Sequence, residues 1–543
     1  MKSRKKVIGL GGCAVFVALA LLISGEIFAG TQYYRLSYRD DPATTIVVGW
    51  CDSGISTNAQ VFYGTADCGT NYLNYPLSHG IDHAVDNYYG LNHRFARLSQ
   101  LLPNTVYYFV VRDDQGISER MCFKTLPDNA NSPITFIAGG DSRTAKPKEF
   151  ADSLLCRPWR QDANRLVSKI SPDFITFSGD YVLLGTYIPF WNDWFTDWQL
   201  TITPEGRLFP LVPTLGNHEL NTDLVNLFDI PDSNSYYSLS IAGKLLRIYT
   251  LNTDLGFNSA NYTSSCDSTQ RNWLENDLQL HTGNSNEPYW KFVQYHCPFA
   301  AHAQYAVNTA MIDCWASLFE TYKINLIAES HSHIIKVTWP IVTSSAAGSD
   351  HGFIRNDTTG IVYIGEGSWG APLRDLFTYY SPDAAFKWTR NQEKMPGFQY
   401  ICVSKEKIEV RVIKIENVIN VGQVGINDPP CSLPANIVVW NPSNGSVVTI
   451  NNPNPLYYNE ISVEKAAVIY PNPANKKVSI DFFDKNNTAK VEVYNAYGCS
   501  IKSISVNTGK TFNLDISTFS TGIYYFYISM NKFRECFKIL VVR

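Results

Sequence analysis

The sequence lacks several features that point to particular classes of protein. It has no basic excess, because 45 Lys and Arg residues face 49 Asp and Glu residues, giving a formal net charge of -4. A positive field that gathers nucleic-acid backbones is therefore not expected, and no nucleic-acid partner is indicated. Hydrophobic residues make up 45% and charged residues 17% of the chain, which excludes both a disordered chain and an integral membrane protein of many spans.

None of the 12 cysteines stands in a C-x-x-C pair, so a cysteine-held zinc site or a thioredoxin-type redox motif has no support. Setting aside Cys13, which lies in an apolar run, leaves 11 of the 12, an odd number that cannot all pair within one chain. This cysteine content is typical of an oxidising compartment, with at least one thiol left free.

Long apolar runs are scarce, and the one that stands out lies at the N-terminus. A basic cluster over residues 2–6 precedes an apolar stretch over 7–23, and Ala29 offers a small residue for cleavage. This pattern predicts a signal peptide over residues 1–29 and hence export. The alternative is an uncleaved membrane anchor, because residues 7–29 contain only Glu26 as a charge and nearly span a bilayer.

The length of 543 residues predicts two to four domains. Residues 31–127 consist of short β-rich runs broken by turns, which is typical of a β-sandwich. A turn over 102–105 followed by Tyr107 resembles the tyrosine corner of such sandwiches.

From 133 to 415, apolar strands such as 134–138 and 174–177 alternate with helical patterns, which indicates an α/β domain. An aromatic stripe at helical spacing favours a helix that packs into the core: Trp191, Trp194, Phe195 and Trp198. Residues 416–465 are rich in proline and asparagine without periodicity, which predicts a linker. Strand patterns over 466–543 predict another small sandwich, so the fold class is multidomain, with all-β domains on either side of a central α/β domain.

Five short motifs follow one another in the central domain: Gly140-Asp141, Gly179-Asp180, Gly216-Asn217-His218-Glu219, His296 and His331-Ser332-His333. Both aspartates come directly after an apolar strand, which is where open α/β sheets place their sites. The strand over 324–328 leads into the last motif, and both its imidazoles point to one side if that segment stays extended.

Oxygen and imidazole ligands without thiolate suit Zn, Fe or Mn, and a shared carboxylate can hold two such ions. Two divalent or mixed-valence ions would neutralise phosphate oxygens and activate a water, so no protein nucleophile is needed. The motifs therefore predict a dinuclear site that hydrolyses phosphoric esters.

In this motif order the region from 133 to 413 resembles the calcineurin-like metallophosphoesterases, and among them the purple acid phosphatases. Residues 31–127 resemble the fibronectin type III-like domain that precedes the catalytic domain in the latter. The resemblance implies a metallophosphoesterase β-sandwich flanked by helices. It also implies site roles: the first metal on Asp141 and His333, a bridge through Asp180, the second metal on Asn217, His296 and His331, and the leaving group facing His218.

Three positions depart from that family pattern: Leu183 replaces a metal-binding tyrosine, Arg143 stands where relatives often have a histidine, and Ser330 replaces a glycine. The first metal then has three protein ligands, and the purple colour is not expected. Tyr181 is expected to point elsewhere.

Arg143 is a candidate for binding phosphate oxygens, with a surface ion pair as the alternative. His302, six residues after His296, falls where the purple family has substrate-facing histidines and is the second candidate. Cys297 is expected to be buried or disulfide-bonded rather than catalytic.

The C-terminal region is similar to type IX secretion sorting domains of Bacteroidota in four stretches: Tyr470-Pro471-Asn472-Pro473, residues 491–498, Gly522-Ile523-Tyr524-Tyr525 and Lys538-Ile539-Leu540-Val541-Val542. The similarity implies passage across the outer membrane by the type IX machinery, removal of the tag, and a secreted or cell-surface protein. The alternative is a carbohydrate-binding or adhesive sandwich.

The function predicted is hydrolysis of small phosphomonoesters. Hydrolysis of phosphodiesters or nucleotides uses the same ligands, and a specificity loop such as 187–197 or 301–308 would decide between them. A third hypothesis, from another class, is a surface binding protein with a degenerate metal site.

Overall fold

The structure is a computed structural model that describes residues 30–52, 58–146, 151–255, 257–258, 263–264, 266–381, 383–452, 467–483, 487–496, 499–530 and 533–543. The predicted signal peptide, residues 1–29, lies outside the described residues. The chain divides into two compact units, Met1–Asn452 and Pro453–Arg543. No helix among the described residues is long and apolar enough to cross a membrane.

The N-terminal region is all β, as the turn-rich sequence predicts. Its strands are β1 (Thr31–Ser37), β2 (Ile46–Asp52), β3 (Gln60–Gly64), β4 (Leu77–His79), β5 (His83–Tyr88), β6 (Leu91–Leu98), β7 (Val106–Arg112) and β8 (Met121–Lys124). One sheet has the order β4-β3-β7-β8, and β1, β2, β6 and β5 belong to a larger sheet. The tyrosine corner is present, because the hydroxyl of Tyr107 accepts a hydrogen bond from the Leu102 N–H at 2.9 Å.

The central region contains strands β9 to β25 and all the α-helices of the described residues. Its strands are β9 (Ile134–Gly139), β10 (Phe174–Phe177), β11 (Pro210–Pro213), β12 (Tyr237–Ile241), β13 (Leu246–Thr250), β14 (Phe257–Asn258), β15 (Thr263–Ser264), β16 (Trp290–Gln294), β17 (Leu326–Glu329), β18 (Ile335–Thr338), β19 (Ile341–Thr343), β20 (Phe353–Arg355), β21 (Val362–Gly365), β22 (Thr389–Glu393), β23 (Gly397–Val403), β24 (Lys407–Lys414) and β25 (Val448–Asn451). Its α-helices are α1 (Cys156–Ile170), α2 (Ile188–Trp198), α3 (Asp223–Phe228), α4 (Ser268–Leu280), α5 (Thr309–Met311) and α6 (Ser317–Thr321).

Two large mixed sheets build the first unit, in the orders β25-β24-β23-β9-β10-β11-β1-β2-β6-β5 and β12-β13-β16-β17-β21-β18-β22. Their facing surfaces meet where the ring of Phe136 contacts that of Phe292 edge-on, with centroids 5.2 Å apart. The next residue along the strand, Val293, packs on the opposite side with Leu274 and Leu278 of α4. This alternation explains why the central strands read as continuous apolar runs, since both faces are covered.

The first large sheet runs through the boundary predicted between the N-terminal and central domains. β1 pairs in parallel with β11, with Leu36 opposite Pro210. The two domains therefore share one sheet and belong to one compact unit.

The prediction of a linker over 416–465 is wrong for residues 416–452, the part that the structure describes. β25 pairs with β24, with Val448 opposite Val410, and a disulfide joins Cys431 to Cys402. This irregular segment is thus fixed to the edge of the sheet. Residues 453–465 lie outside the described part of the chain.

The second unit is a β-sandwich with its own core, as predicted. Its strands are β26 (Ala467–Tyr470), β27 (Lys477–Phe482), β28 (Thr488–Asn495), β29 (Ser500–Asn507), β30 (Phe512–Asp515), β31 (Gly522–Met530) and β32 (Phe533–Val541), in two sheets ordered β26-β27-β30 and β29-β28-β31-β32. The side chain of Asn472 donates to the Lys538 carbonyl and accepts from the Leu540 N–H, each at 2.9 Å. Two of the quoted sequence motifs are therefore bonded to each other.

Candidate metal centre

Two neighbouring parallel strands deliver the two aspartates. β9 and β10 end in register, with Gly139 opposite Phe177, and each is followed by an aspartate with a left-handed backbone. Asp141 has φ 56° and Asp180 has φ 55°, and both are buried. The space beside Asp141 requires a glycine at position 367, because a Cβ on Gly367 would lie 1.6 Å from Asp141 Oδ2.

The loop after β11 supplies Asn217 and His218 and is tied to the Asp180 loop by a buried carboxylate. Glu219 accepts hydrogen bonds from the backbone N–H groups of Asp180 at 2.9 Å, Tyr181 at 2.9 Å and Gly216 at 3.1 Å. Burial raises the pKa of Glu219, and hydrogen bonds from backbone N–H groups oppose that rise. One side chain thus fixes the relative position of two ligand-bearing loops.

The second sheet supplies the histidines from the ends of β16 and β17. The segment of His331 and His333 is not extended, which was the condition for both imidazoles to point to one side, because both residues have left-handed backbones, with φ 75° and 55°. The chain turns after β17 ends at Glu329. The two imidazoles reach the site through this turn and not through strand alternation.

Four side chains converge at the first cluster. His296 Nε2 lies 3.0 Å from Asn217 Oδ1, 3.2 Å from His331 Nδ1 and 3.3 Å from Asp180 Oδ1. Its other ring nitrogen, Nδ1, donates to the Ser178 carbonyl at 2.7 Å. In a neutral imidazole Nε2 then holds a lone pair. Oxygen and nitrogen lone pairs that face one another in a buried site favour a bound cation.

The second cluster also brings buried oxygen and nitrogen atoms face to face. His333 Nδ1 donates to the Pro372 carbonyl at 2.7 Å, and its Nε2 faces Asp141 Oδ1 at 3.2 Å. Both of these facing atoms are buried without a hydrogen-bond partner. The grouping Asp141, Asp180 and His333 has a geometry that can hold a metal ion, as does the grouping His296, Cys297 and His331. The carboxylate, amide and imidazole ligand atoms therefore fit two metal ions that prefer oxygen and nitrogen ligands.

Burial shifts the pKa values of the two aspartates and of two of the histidines, and not all in the same direction. It raises the pKa of Asp141, because the nearby positive charges do not offset the loss of water. For Asp180 burial also acts upward, but His218, His296 and Arg143 lower its pKa by more. Burial lowers the pKa of both His331 and His333, which keeps their imidazoles neutral.

His218 and Arg143 both lie beside Asp180. His218 Nδ1 donates to the Leu183 carbonyl at 2.5 Å, and Nε2 lies 3.6 Å from Asp180 Oδ2, with a quarter of the side chain exposed. Arg143 Nε lies 3.7 Å from the same oxygen and is buried without a hydrogen-bond partner. Arg143 is therefore not in a surface ion pair.

The structure contradicts the expectation that His302 faces a substrate. Its side chain is fully buried, with Nδ1 donating to Glu366 Oε1 at 3.0 Å and Nε2 accepting from the Thr389 hydroxyl at 2.8 Å. Both ring nitrogens are used within the protein. The spacing from His296 placed this residue near the site, but the chain turns its ring into the core.

A buried network that the sequence analysis missed lies behind the histidine loops. Lys336 forms ion pairs with Glu329 and with Glu366, the latter at 2.8 Å. Tyr295 donates to Glu329 at 2.8 Å, and His333 N–H donates to the Glu366 carbonyl at 2.8 Å. The signal was present as charged residues inside the apolar runs over 324–329 and 334–337.

The remaining expectations concern Tyr181, Cys297 and the predicted specificity loops. Tyr181 is buried, and its hydroxyl lies 3.2 Å from the Thr214 carbonyl, so it points elsewhere, as expected. Cys297 is a buried free cysteine next to His296, and burial raises the pKa of its thiol. Of the two predicted specificity loops, 187–197 belongs largely to α2, whose aromatic stripe is buried as predicted.

Comparisons with known proteins agree with this architecture. Residues 31–125 match the purple acid phosphatase N-terminal domain, 154–334 the calcineurin-like phosphoesterase family and 468–543 the secretion system C-terminal sorting domain. An uncharacterised protein of Mycobacterium tuberculosis is 25% identical over 352 residues, covering 58% of this chain and 63% of that protein. The chain thus spans less than two thirds of that relative. Human acid phosphatase type 7 is 24% identical over 403 residues, covering 69% of this chain and 85% of the human protein.

Solved structures show the same fold. A purple acid phosphatase from yellow lupin seeds has a TM-score of 0.57 at 15% identity, covering 73% of each chain. The structure of PhoD has a TM-score of 0.52 at 13% identity, covering 72% of this chain and 88% of that one. The chain therefore contains three regions that match the purple acid phosphatase N-terminal domain, the calcineurin-like phosphoesterase family and the secretion system C-terminal sorting domain, and it shares its fold with these two solved structures.

Proposed function

We propose that this chain, built around a calcineurin-like phosphoesterase domain, is a secreted dinuclear phosphoesterase that hydrolyses small phosphomonoesters. The observation that carries the proposal is the pair of buried clusters in which carboxylate, amide and imidazole ligand atoms converge, with His296 Nε2 within 3.3 Å of three such atoms and His333 Nε2 3.2 Å from Asp141 Oδ1. The first metal would be held by Asp141 and His333 and the second by Asn217, His296 and His331, with Asp180 shared. Bound Fe, Zn or Mn would supply Lewis acidity toward phosphoryl oxygens and toward an attacking water.

The protein groups around these ligands have separate roles in the reaction. The His218 Nδ1–H bond to the Leu183 carbonyl fixes the ring, and Nε2 remains available to donate a proton to the departing ester oxygen. Arg143 offers an unused N–H beside Asp180 and binds a phosphoryl oxygen. The complete set of six ligand side chains counts against a binding protein with a degenerate site.

The first experiment measures metal content and the rates on 4-nitrophenyl phosphate and bis(4-nitrophenyl) phosphate. We expect two metal ions per chain and faster hydrolysis of the monoester. The Asp180→Asn variant removes a charge shared by both ions and should lower turnover by orders of magnitude. Asp193→Asn, at a half-exposed carboxylate paired with Arg157, is the matched control. Near-normal turnover in metal-loaded Asp180→Asn would contradict the shared-ligand role.

The second experiment tests His218 through the leaving group. An alkoxide needs a proton to depart and a nitrophenolate does not, so His218→Ala should slow an alkyl phosphate by on the order of 10² to 10⁴ and nitrophenyl phosphate far less. Metal content should not change. His281→Ala, directly after α4 with its ring hydrogen-bonded to the Asp277 carbonyl, is the control. Equal slowing of both substrates would show that His218 is not the proton donor.

The second unit is proposed to direct export and to take no part in catalysis. Deleting 466–543 should leave hydrolysis by the first unit intact and retain the protein in the periplasm. Equal amounts at the cell surface or in the medium with and without this segment would refute the sorting role.

A further inference from the structure

The segment that follows β21 is hydrogen-bonded to residues of the metal centre and places Arg374 beside it. The Ala371 N–H donates to the Asp141 carbonyl at 2.9 Å, and the Pro372 carbonyl accepts from His333 Nδ1 at 2.7 Å. Arg374 is the second residue after Pro372. Its backbone position is therefore fixed by two of the ligand-bearing residues.

The Arg374 side chain packs on a ring that itself covers a ligand. Its Cζ lies 4.6 Å from the centre of the Tyr305 ring, and Tyr305 stacks on His331 with centroids 4.3 Å apart and an interplanar angle of 22°. Arg374 Nη1 is buried without a hydrogen-bond partner among the described residues. A buried guanidinium N–H without an acceptor is costly, and an anion beside it would remove that cost.

Two guanidinium groups thus lie on different sides of the ligand cluster. Arg143 lies beside the shared carboxylate of Asp180, and Arg374 lies on the side of His331 and His333.

We propose that Arg374 binds a non-bridging oxygen of the phosphoryl group opposite Arg143, and that this second guanidinium selects monoester dianions over diester monoanions. The inference rests on the proposed phosphoesterase function and names its substrate class. A phosphomonoester carries close to two negative charges at neutral pH and has three terminal oxygens, whereas a diester carries one charge and two terminal oxygens. Removing one cation therefore weakens monoester binding more than diester binding.

The test compares Arg374→Gln and Arg374→Lys with Arg355→Gln in the full, metal-loaded chain. Arg355 is a matched control, because its guanidinium also stacks on an aromatic ring, that of Trp339 at 3.7 Å, and pairs with the exposed Asp357. Calorimetry with inorganic phosphate measures anion binding without turnover. Kinetics on 4-nitrophenyl phosphate and bis(4-nitrophenyl) phosphate measure selectivity.

For Arg374→Gln we expect phosphate affinity and monoester kcat/KM to fall about 10-fold to 100-fold, as for loss of a charge-assisted hydrogen bond. The diester should change much less, and metal content should stay the same. Arg374→Lys should retain part of the affinity, because it keeps the charge but loses the planar fork. Arg355→Gln should behave like the wild type.

Equal losses for monoester and diester would overturn the inference, and so would unchanged phosphate affinity in Arg374→Gln. If the wild type hydrolyses neither ester, the proposed function fails, and the phosphate titration still decides whether Arg374 binds the anion.

Discussion

The two groups of loops that form the metal centre are held in place by different chemistry. The loops of the first sheet are joined by Glu219, whose carboxylate accepts hydrogen bonds from backbone N–H groups. The loops of the second sheet are backed by Lys336, which lies between Glu329 and Glu366. Backbone donors are fixed by the fold, whereas a buried cation must be matched by charge. The second group should therefore be the more sensitive to a single substitution.

The largest expected effect comes from Lys336→Met. It leaves two buried carboxylates without their cation and should lower the free energy of unfolding by about 3–5 kcal/mol. Denaturant unfolding of the metal-free protein measures this loss. The control is Lys394→Met, which removes an exposed lysine paired with Asp375 and should change little. A loss no larger than that of the control would remove the proposed difference between the loops.

A second variant separates charge from shape in the same network. Glu366→Gln added to Lys336→Met removes one of the uncompensated charges, so part of the lost stability should return. Further loss in the double variant would show that packing, and not charge balance, dominates this network.

A smaller effect is expected from Glu219→Gln. The amide NH₂ group cannot accept, so at least one of the three backbone N–H groups loses its partner, at about 1–3 kcal/mol. Because two ligand loops are joined here, metal affinity should fall about 10-fold to 100-fold, as for other groups that orient ligands. Glu320→Gln is the control, since its carboxylate accepts from the Thr343 N–H away from the ligands. Unchanged metal affinity would show that the two loops are fixed independently of Glu219.

The smallest effect is expected from Thr389→Val, at the far end of the second network. It removes the hydroxyl that donates to His302 Nε2 and should cost about 1 kcal/mol. Because His302 faces the core, KM for phosphomonoesters should stay at its wild-type value. A raised KM with unchanged stability would restore the substrate-facing role for His302.

Much of the fold was predictable from the sequence, for identifiable reasons. The strands that lead into Asp141 and Asp180 are short apolar runs covered on both faces, so the local pattern identified them. The aromatic stripe of α2 repeats at helical spacing, so the local pattern identified this helix as well. The ligand roles of the motif residues came from their order and remain proposals, although the structure brings all six side chains together.

Other features depend on contacts that no local pattern shows. Proline and asparagine over 416–452 mark irregular backbone, but composition does not distinguish a free linker from a segment fixed by a disulfide to Cys402. The turn after Glu329 and the inward ring of His302 are set by the buried network around Lys336. Arg374 follows no motif, and only the path of its segment beside His333 brings it to the site.

The order of the ten-stranded sheet has a consequence for how the chain becomes folded. β9 lies between β10, which follows soon after it, and β23, which is made only near residue 400, while β1 pairs with β11. Partners this distant in sequence must be brought together before their contacts contribute, which makes folding slow. Until β23 is available, β9 has an open edge that can pair with another chain. A product truncated before β23 should therefore aggregate, and 133–415 expressed alone should expose the edge of β11 that β1 covers.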